Sequence, residues 1–383
     1  VRHFLPLLLA ALLAACTTTP KPPEKPAPVT ARYTPAQWRD LPGWPGENLL
    51  ASWPAWQQSC TRLGKRPAWQ SLCADAAALA PTDEAGVRAF FEQRFQPWRI
   101  ESSDGSTSGL ITGYYEALLT GSLMPKAGSA PLYAVPDDML TLDIDELYPE
   151  TKGLRLRGRL EGRTVRPYWS RADIEAGRGV TPDKVLAWAD DPIDAVFLQI
   201  QGSGRVQLED GTLLRLGYAD QNGHPYRAIG KWLVEQGLMA REDVSMQSIR
   251  AWAKAHPERA QEMLNSNPSY VFFRVLPDDI GGALGALNVP LTDGASIAVD
   301  PRHIPLGSPV YLATTRPDTQ PLQRLVHAQD TGGAIRGPVR ADFYWGYGPE
   351  AGELAGRMKQ RGEMWLLWPK ELPLPTPAVP AGK

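Results

Sequence analysis

Apolar residues recur along this chain in two rhythms that change by region. After Thr82, which stands where a helix cap is wanted, the spacing is helical: Asp83 and Glu84 fill the first turn, and Val87, Phe90 and Phe91 share one face. From about Gly109 the texture becomes β-prone, with short apolar runs broken by Gly, Pro and Asp. Ala195 to Ile200 and Arg205 to Leu216 are the clearest, the second predicting a hairpin that turns at Asp210-Gly211. Helical spacing returns over Tyr226 to Gln236, striped by Ile229, Trp232 and Leu233 with Gly237 as its stop, and over Ser245 to Ala255 around Ile249 and Trp252. Beyond Asn267-Pro268 strands are predicted at Val271 to Phe273, Ser296 to Val299, Val310 to Leu312, Leu325 to Ala328 and Met364 to Leu367. Many short strands with glycine-rich turns point to a barrel. One helix interrupts them, entered at Gly348-Pro349-Glu350, striped by Ala351, Leu354, Ala355 and Met358, and closed by Gly362.

The ends carry no such rhythm. Arg2 and His3 precede an apolar run from Phe4 to Ala14, too short to cross a bilayer, which needs roughly 20 apolar residues. Small residues then lead into Cys16, as in a bacterial lipoprotein signal; cleavage leaves Cys16 as a lipidated N-terminus. The opening Val1 reads as an alternative start codon. Proline and threonine dominate 17 to 31, an extended tether, and the stretch after Trp368 looks similarly unstructured. With Cys16 lipidated, Cys60 and Cys73 remain, a pair that an oxidising compartment allows to bridge. Their surroundings, Trp53, Trp56 and Trp69, suggest a disulfide stapling two short helices, and two thiols fall short of the four ligands of a structural metal site.

Composition narrows the partners. About 360 residues after the signal exceed one ordinary core, so two domains are expected. A net charge of -2 gives no reason to expect nucleic acid or another polyanion. The 13 tryptophans and 12 tyrosines suit stacking on sugar rings, although most are expected in the core.

Candidate chemistry is reached by elimination. The 5 histidines include no HExxH pair, no serine occupies a G-x-S-x-G elbow, and no CxxC or Walker loop occurs. Carboxylates remain: Asp300 in IAVDPRHIPLG, Asp330 in VHAQDTGGAIRG and Asp342 in RADFYWGYG. Asp300, before proline, reads as a turn cap. Asp330 is predicted at a strand end above the flexible Gly332-Gly333, where a ligand can approach the backbone. Asp342 is flanked by Phe343, Tyr344, Trp345 and Tyr347, a setting whose desolvation raises a carboxyl pKa toward that of a general acid. By these arguments alone Asp330 and Asp342 are equally open to structural or functional roles.

These residues stand in longer stretches: TGYYEALLTGS from Thr112, DAVFLQIQGSGRVQLEDG from Asp194, GYADQNGHPYRAIGKWL from Gly217, NPSYVFF from Asn267, and DTGGAIRG through ADFYWGYGPEAGELAG. In that order, over about residues 110 to 368, the chain resembles the membrane-bound lytic murein transglycosylase A family, whose C-terminal part is a three-aspartate domain. The resemblance implies a mainly β fold with helices: a double-psi β-barrel domain (32–113 and 226–368, with flanking helices) interrupted by an inserted second β-barrel domain (114–225). The expected frame is signal peptide 1–15, tether 16–31 and a disordered tail 369–383.

It further implies a peptidoglycan lytic exotransglycosylase without metal or cofactor, cutting the β-1,4 bond between N-acetylmuramic acid and N-acetylglucosamine to give 1,6-anhydromuramoyl ends. The residues themselves leave open whether strand ends or interior bonds are cut. Asp342 carries over as the catalytic acid/base and Asp330 as its support. Thr112, Tyr114, Gln201, Gly202 and Ser203 carry over as substrate contacts. The implied setting is a lipoprotein of the Gram-negative outer membrane facing the periplasm, with peptidoglycan and proteins of wall synthesis or division as partners. Two rivals use the same residues: a hydrolytic muramidase with Asp330 and Asp342 as a carboxylate pair, and a non-catalytic glycan-binding lipoprotein.

Overall fold

The computed structural model describes residues 29–79, 83–151, 153–277 and 281–376. The signal, Cys16 and most of the tether lie outside them, as do Thr82 and residues 377–383. β1 (Ala31–Pro35) is followed by α1 (Trp53–Leu63), α2 (Gln70–Ala78) and α3 (Glu84–Arg94). Asp83 caps α3, its carboxylate accepting from Gly86 N at 2.9 Å. Cys60 and Cys73 are bridged, with Cα atoms 5.2 Å apart, and so tie α1 to α2. Closing a loop of this length stabilises a fold by about 3 kcal/mol. Trp56, fully buried, packs against Trp69, Phe90, Phe91 and Phe95 and stacks on His327, which seats the helices on the barrel.

The chain then runs through β2 (Phe95–Ser102), β3 (Gly109–Ser122), β4 (Ala130–Tyr133), β5 (Leu140–Thr141), β6 (Arg157–Glu161), β7 (Thr164–Pro167), α4 (Arg171–Glu175) and β8 (Val185–Ala189). α5 (Pro192–Gln201), β9 (Ser203–Gln207), β10 (Leu213–Gln221), α6 (Ile229–Glu235), α7 (Met246–Ala255), α8 (Pro257–Asn265) and β11 (Val271–Val275) follow. The last part holds β12 (Ser296–Val299), β13 (Pro309–Thr315), β14 (Pro321–Asp330), β15 (Arg340–Tyr347), α9 (Pro349–Arg357) and β16 (Lys359–Pro369).

Strand pairing closes the order β16-β13-β14-β12-β15-β3, because β16 pairs with β3 through Lys359–Gly362 as well as with β13. The pairs β12–β14 and β15–β3 are parallel and the others antiparallel. β3 continues out of this barrel into a second ring, where Ala117–Thr120 pair with β9, and β10, β11, β4 and β8 complete the circuit through the single bridge Ala134–Phe273. β5, β6 and β7 form a separate small sheet.

The structure corrects four expectations. Ala195–Ile200 is helical, not a strand: Asp191 caps α5, Pro192 sits in its first turn and Gly202 ends it at φ 81°. The run is buried almost all round, so its periodicity could not separate helix from strand, and the flanking stop signals decide. Gly362 lies inside β16, not at the end of α9; a Cβ there would come within 2.7 Å of Ile111 and 2.8 Å of Thr314, a closeness only glycine allows. The inserted region extends past 225, since β11 pairs with β10 and α6–α8 pack Ile229, Trp232 and Trp252 against Ile193, Val196 and Phe197 of α5. The tail is ordered through residue 376 in this structure: Leu372 and Leu374 pack on the barrel core, and Trp368 Nε1 donates to Pro373 O at 2.9 Å.

Candidate active site

β12 is a four-residue strand buried along its whole length, which lets it lie between β14 and β15 in the barrel wall. Its Ala298 is the register partner of Asp330 on one side and of Asp342 on the other. Asp342 in turn is opposite Thr112, and Thr112 is opposite Lys359. Residues far apart in sequence therefore form one row across the sheet, Asp330, Ala298, Asp342, Thr112, Lys359. At a strand spacing of about 4.8 Å, Asp330 and Asp342 are roughly 10 Å apart at their Cα atoms.

Asp342 is half-buried, and its Oδ1 accepts the Thr112 hydroxyl at 2.5 Å. Burial raises its pKa, while the neighbouring Arg340 and the Thr112 hydrogen bond pull it part of the way back. Asp330 is held differently: its Oδ1 accepts from Ala286 N at 2.9 Å and Thr331 N at 2.8 Å. Burial pushes its carboxyl up to about 6 against those amides, with the charge of Asp342 adding to the rise. Asp300 is more than a turn cap. Buried, it takes Arg302 at 2.9 and 2.6 Å and the amide of Gly337 at 2.9 Å, so it fastens the loop between Asp330 and Asp342. Burial alone would raise its pKa, but Arg302 and Gly337 hold it below the usual carboxylate range.

The aromatic flank of Asp342 divides by strand alternation. Phe343 points into the barrel core and stacks edge-on against Trp345 at 4.8 Å, so neither covers Asp342. Tyr344, two residues on, shares the face of Asp342 and lies 5.1 Å from the ring of Tyr114. Tyr114 is buried beside Asp330, with its hydroxyl lacking a well-formed hydrogen bond among the described residues. It is part of the wall rather than an exposed stacking platform.

Three expected sugar contacts are not brought to the aspartates. Gln201 Oε1 accepts from Tyr115 N at 3.1 Å, Gly202 ends α5, and Ser203 is buried at the start of β9. With Ala117 opposite Gly204, they lie about three to five residues further along β3 than Thr112, roughly 10–16 Å.

Two features escaped the sequence reading. Tyr226 is 37% exposed, and its Cβ lies 3.7 Å from where a Cβ on Gly333 would be. Burial of its hydroxyl and then the charge of Asp342 raise its pKa, so it faces the aspartate from the connection between β10 and α6. Its segment, GHPYRAIG, carried no signal that singled it out. Glu116, only 1% exposed, takes Arg205 at 3.1 and 2.8 Å, and that guanidinium lies 3.8 Å over the Tyr347 ring. An acid inside the apolar run TGYYEALL was a legible sign of a buried pair. The pair joins β3 to β9 where the two rings meet.

Comparison with known proteins places this arrangement. Residues 110–274 match the family described as the MltA specific insert domain, and 295–368 match the 3D domain. The membrane-bound lytic murein transglycosylase A of Escherichia coli K12 is 35% identical over 279 residues, 70% of this chain and 68% of that protein. Among solved structures, MltA from Neisseria gonorrhoeae is 36% identical with a TM-score of 0.78, over 91% of this chain and 96% of that one. Escherichia coli MltA with bound chitohexaose is 28% identical with a TM-score of 0.64, over 88% and 91%.

Proposed function

The chain belongs to the membrane-bound lytic murein transglycosylase A family, and from that premise we propose that Asp342 is the acid and then the base with which it cuts peptidoglycan glycan strands. The observation that carries this reading is how the three aspartates are held. Asp300 is locked through both its oxygens to Arg302 and Gly337, and Asp330 is tied through Oδ1 to two backbone amides, so both hold loops in place. Asp342 is held by one rotatable hydroxyl, that of Thr112.

Protonated Asp342 donates to the glycosidic oxygen as the bond to the muramoyl anomeric carbon breaks and positive charge develops there. The muramoyl 6-hydroxyl attacks that carbon, and the Asp342 carboxylate takes its proton. The product is a 1,6-anhydro ring, no water is consumed, and Asp342 ends protonated as it began. An intramolecular nucleophile gains on the order of 7–11 kcal/mol from effective molarity, so no second catalytic carboxylate is required. Tyr226, beside Gly333 and facing Asp342, covers the reacting sugar in this reading. The alternative of hydrolysis asks Asp330, whose Oδ1 already accepts the amides of Ala286 and Thr331, to activate water, and the fragments distinguish the two reactions.

Digestion of purified sacculi followed by mass spectrometry of the fragments tests the reaction. Anhydro ends, lighter by one water than hydrolytic ends, are expected throughout; fragments with only reducing muramic acid would overturn it. For its setting, we place a lipid on Cys16 and the enzyme on the periplasmic face of the outer membrane. Cys16→Ala is expected to move the protein from the membrane fraction to the soluble periplasm, and full retention in the membrane would refute lipid anchoring there.

A further inference from the structure

One pleat below the Thr112–Asp342 row lies a second row, Arg340, Leu110 and Arg361, on β15, β3 and β16. Side chains two residues apart share a face, so this row adjoins the reacting carboxylate at about 7 Å. A pocket of about 420 Å³ opens over it, lined by Leu110, Arg336, Arg340, Arg361 and Ser108. Among the described residues none of the three arginines makes an ion pair. Arg336 donates to Gly332 O and Ile335 O at 3.1 Å, Arg340 to Leu110 O at 3.3 Å, and Arg361 to Ser108 Oγ at 3.1 Å. The one carboxylate on the lining, Asp104, already accepts from Ser106 N at 2.9 Å. Lys359, exposed at the end of the catalytic row, adds a further cation. The net charge of -2 conceals this concentration, because a sum over the chain says nothing about one face.

We propose that this pocket binds the anionic stem peptide carried by the muramoyl residue whose bond is cut. The inference rests on Asp342 being the acid/base. A peptide hangs from the lactoyl ether of that sugar, and about two residues of extended chain span the 7 Å between rows. Its free carboxylates match guanidinium groups that make no close ion pair with a protein carboxylate, which bind them by charge-assisted hydrogen bonds. Leu110 supplies the apolar floor for the peptide's side chains.

The test compares glycan strands bearing tetrapeptide stems with the same strands stripped by an amidase. In the double variant Arg336→Gln/Arg361→Gln, kcat/KM on peptide-bearing strands is expected to fall on the order of tenfold and to stay unchanged on stripped strands. An unchanged ratio between the two substrates would overturn the proposal. On the unmodified protein, free tetrapeptide stem is expected to compete with peptide-bearing strands while its carboxamidated form does not; equal competition by both, or none by either, counts against it. Anhydro ends from stripped strands report the Asp342 reaction separately, so loss of those ends marks failure of that reading rather than of the peptide site.

Discussion

Asp342→Asn is expected to abolish clearing of murein sacculi while leaving the protein folded and glycan-bound. The amide oxygen still accepts the Thr112 hydroxyl, so the row across the sheet is kept, but the side chain can neither give nor take the proton. General acid–base catalysis is worth about 10²–10⁴-fold, and in the proposed reaction one group serves both half-steps, so a loss of at least about 10³-fold in kcat with little change in strand binding is expected. Turnover assays beside a pull-down on insoluble peptidoglycan separate the two quantities. Clearing at the native rate would remove Asp342 from the reaction. An equal loss of binding would make it a substrate contact instead.

The substitution Asp330→Asn has a different signature. It keeps the acceptor for Ala286 N and Thr331 N and removes only the charge. Charges about 10 Å apart interact by about 1–2 kcal/mol at an effective dielectric of 20 to 40, so the two carboxyls titrate as a coupled pair. The charge on Asp342 raises Asp330, and the last proton is shared by the pair, so Asp330 keeps part of Asp342 in its acid form to higher pH. Without it, the alkaline limb of the kcat/KM profile is expected to move to lower pH, on the order of one unit. Asp330→Ala also frees the two amides, and about 10²-fold loss of activity follows from the displaced loop. A flat loss at all pH values in the Asn variant would leave Asp330 as a loop anchor only.

Stability gives an independent reading of the same group. The Asp330 pKa in the folded state is raised to about 6, so the carboxyl stabilises the fold at low pH and that contribution is lost as pH rises through about 6. The Asn variant is therefore expected to melt higher than the native protein at pH 7, with the difference gone below about pH 4, near the unfolded carboxyl value.

What the sequence determined by itself was local. The 3.6 and 2.0 residue periods located α3, α7, the β9–β10 hairpin, β11 through β14 and β16, because each depends on which neighbours share a face, but not β15, the strand that carries Asp342. The Cys60 and Cys73 pair sat among tryptophans that seat both helices, and elimination left carboxylates as the candidate chemistry. Where local signals were balanced they failed: α5 is apolar on nearly every side, and the proline- and leucine-containing segment after Trp368 looked like linker until Leu372 and Leu374 met the core. Asp330 and Asp342 could be named as candidates but not told apart by their residues, and Asp300 read as a turn cap when it also fastens a loop.

Only the tertiary structure decided which of them share a site. Thr112 and Asp342 are 230 residues apart, and Ala298 lies between Asp330 and Asp342 only because β12 takes β14 on one edge and β15 on the other. Register of that kind is set by long-range strand pairing, and a shift of one residue would turn every side chain of the row to the opposite face. The basic pocket follows from the same register, since Arg340 and Arg361 meet across Leu110 although nothing near either in sequence calls for the other. Periodicity fixes which way a side chain points along its own strand; the closed barrel fixes what it points beside.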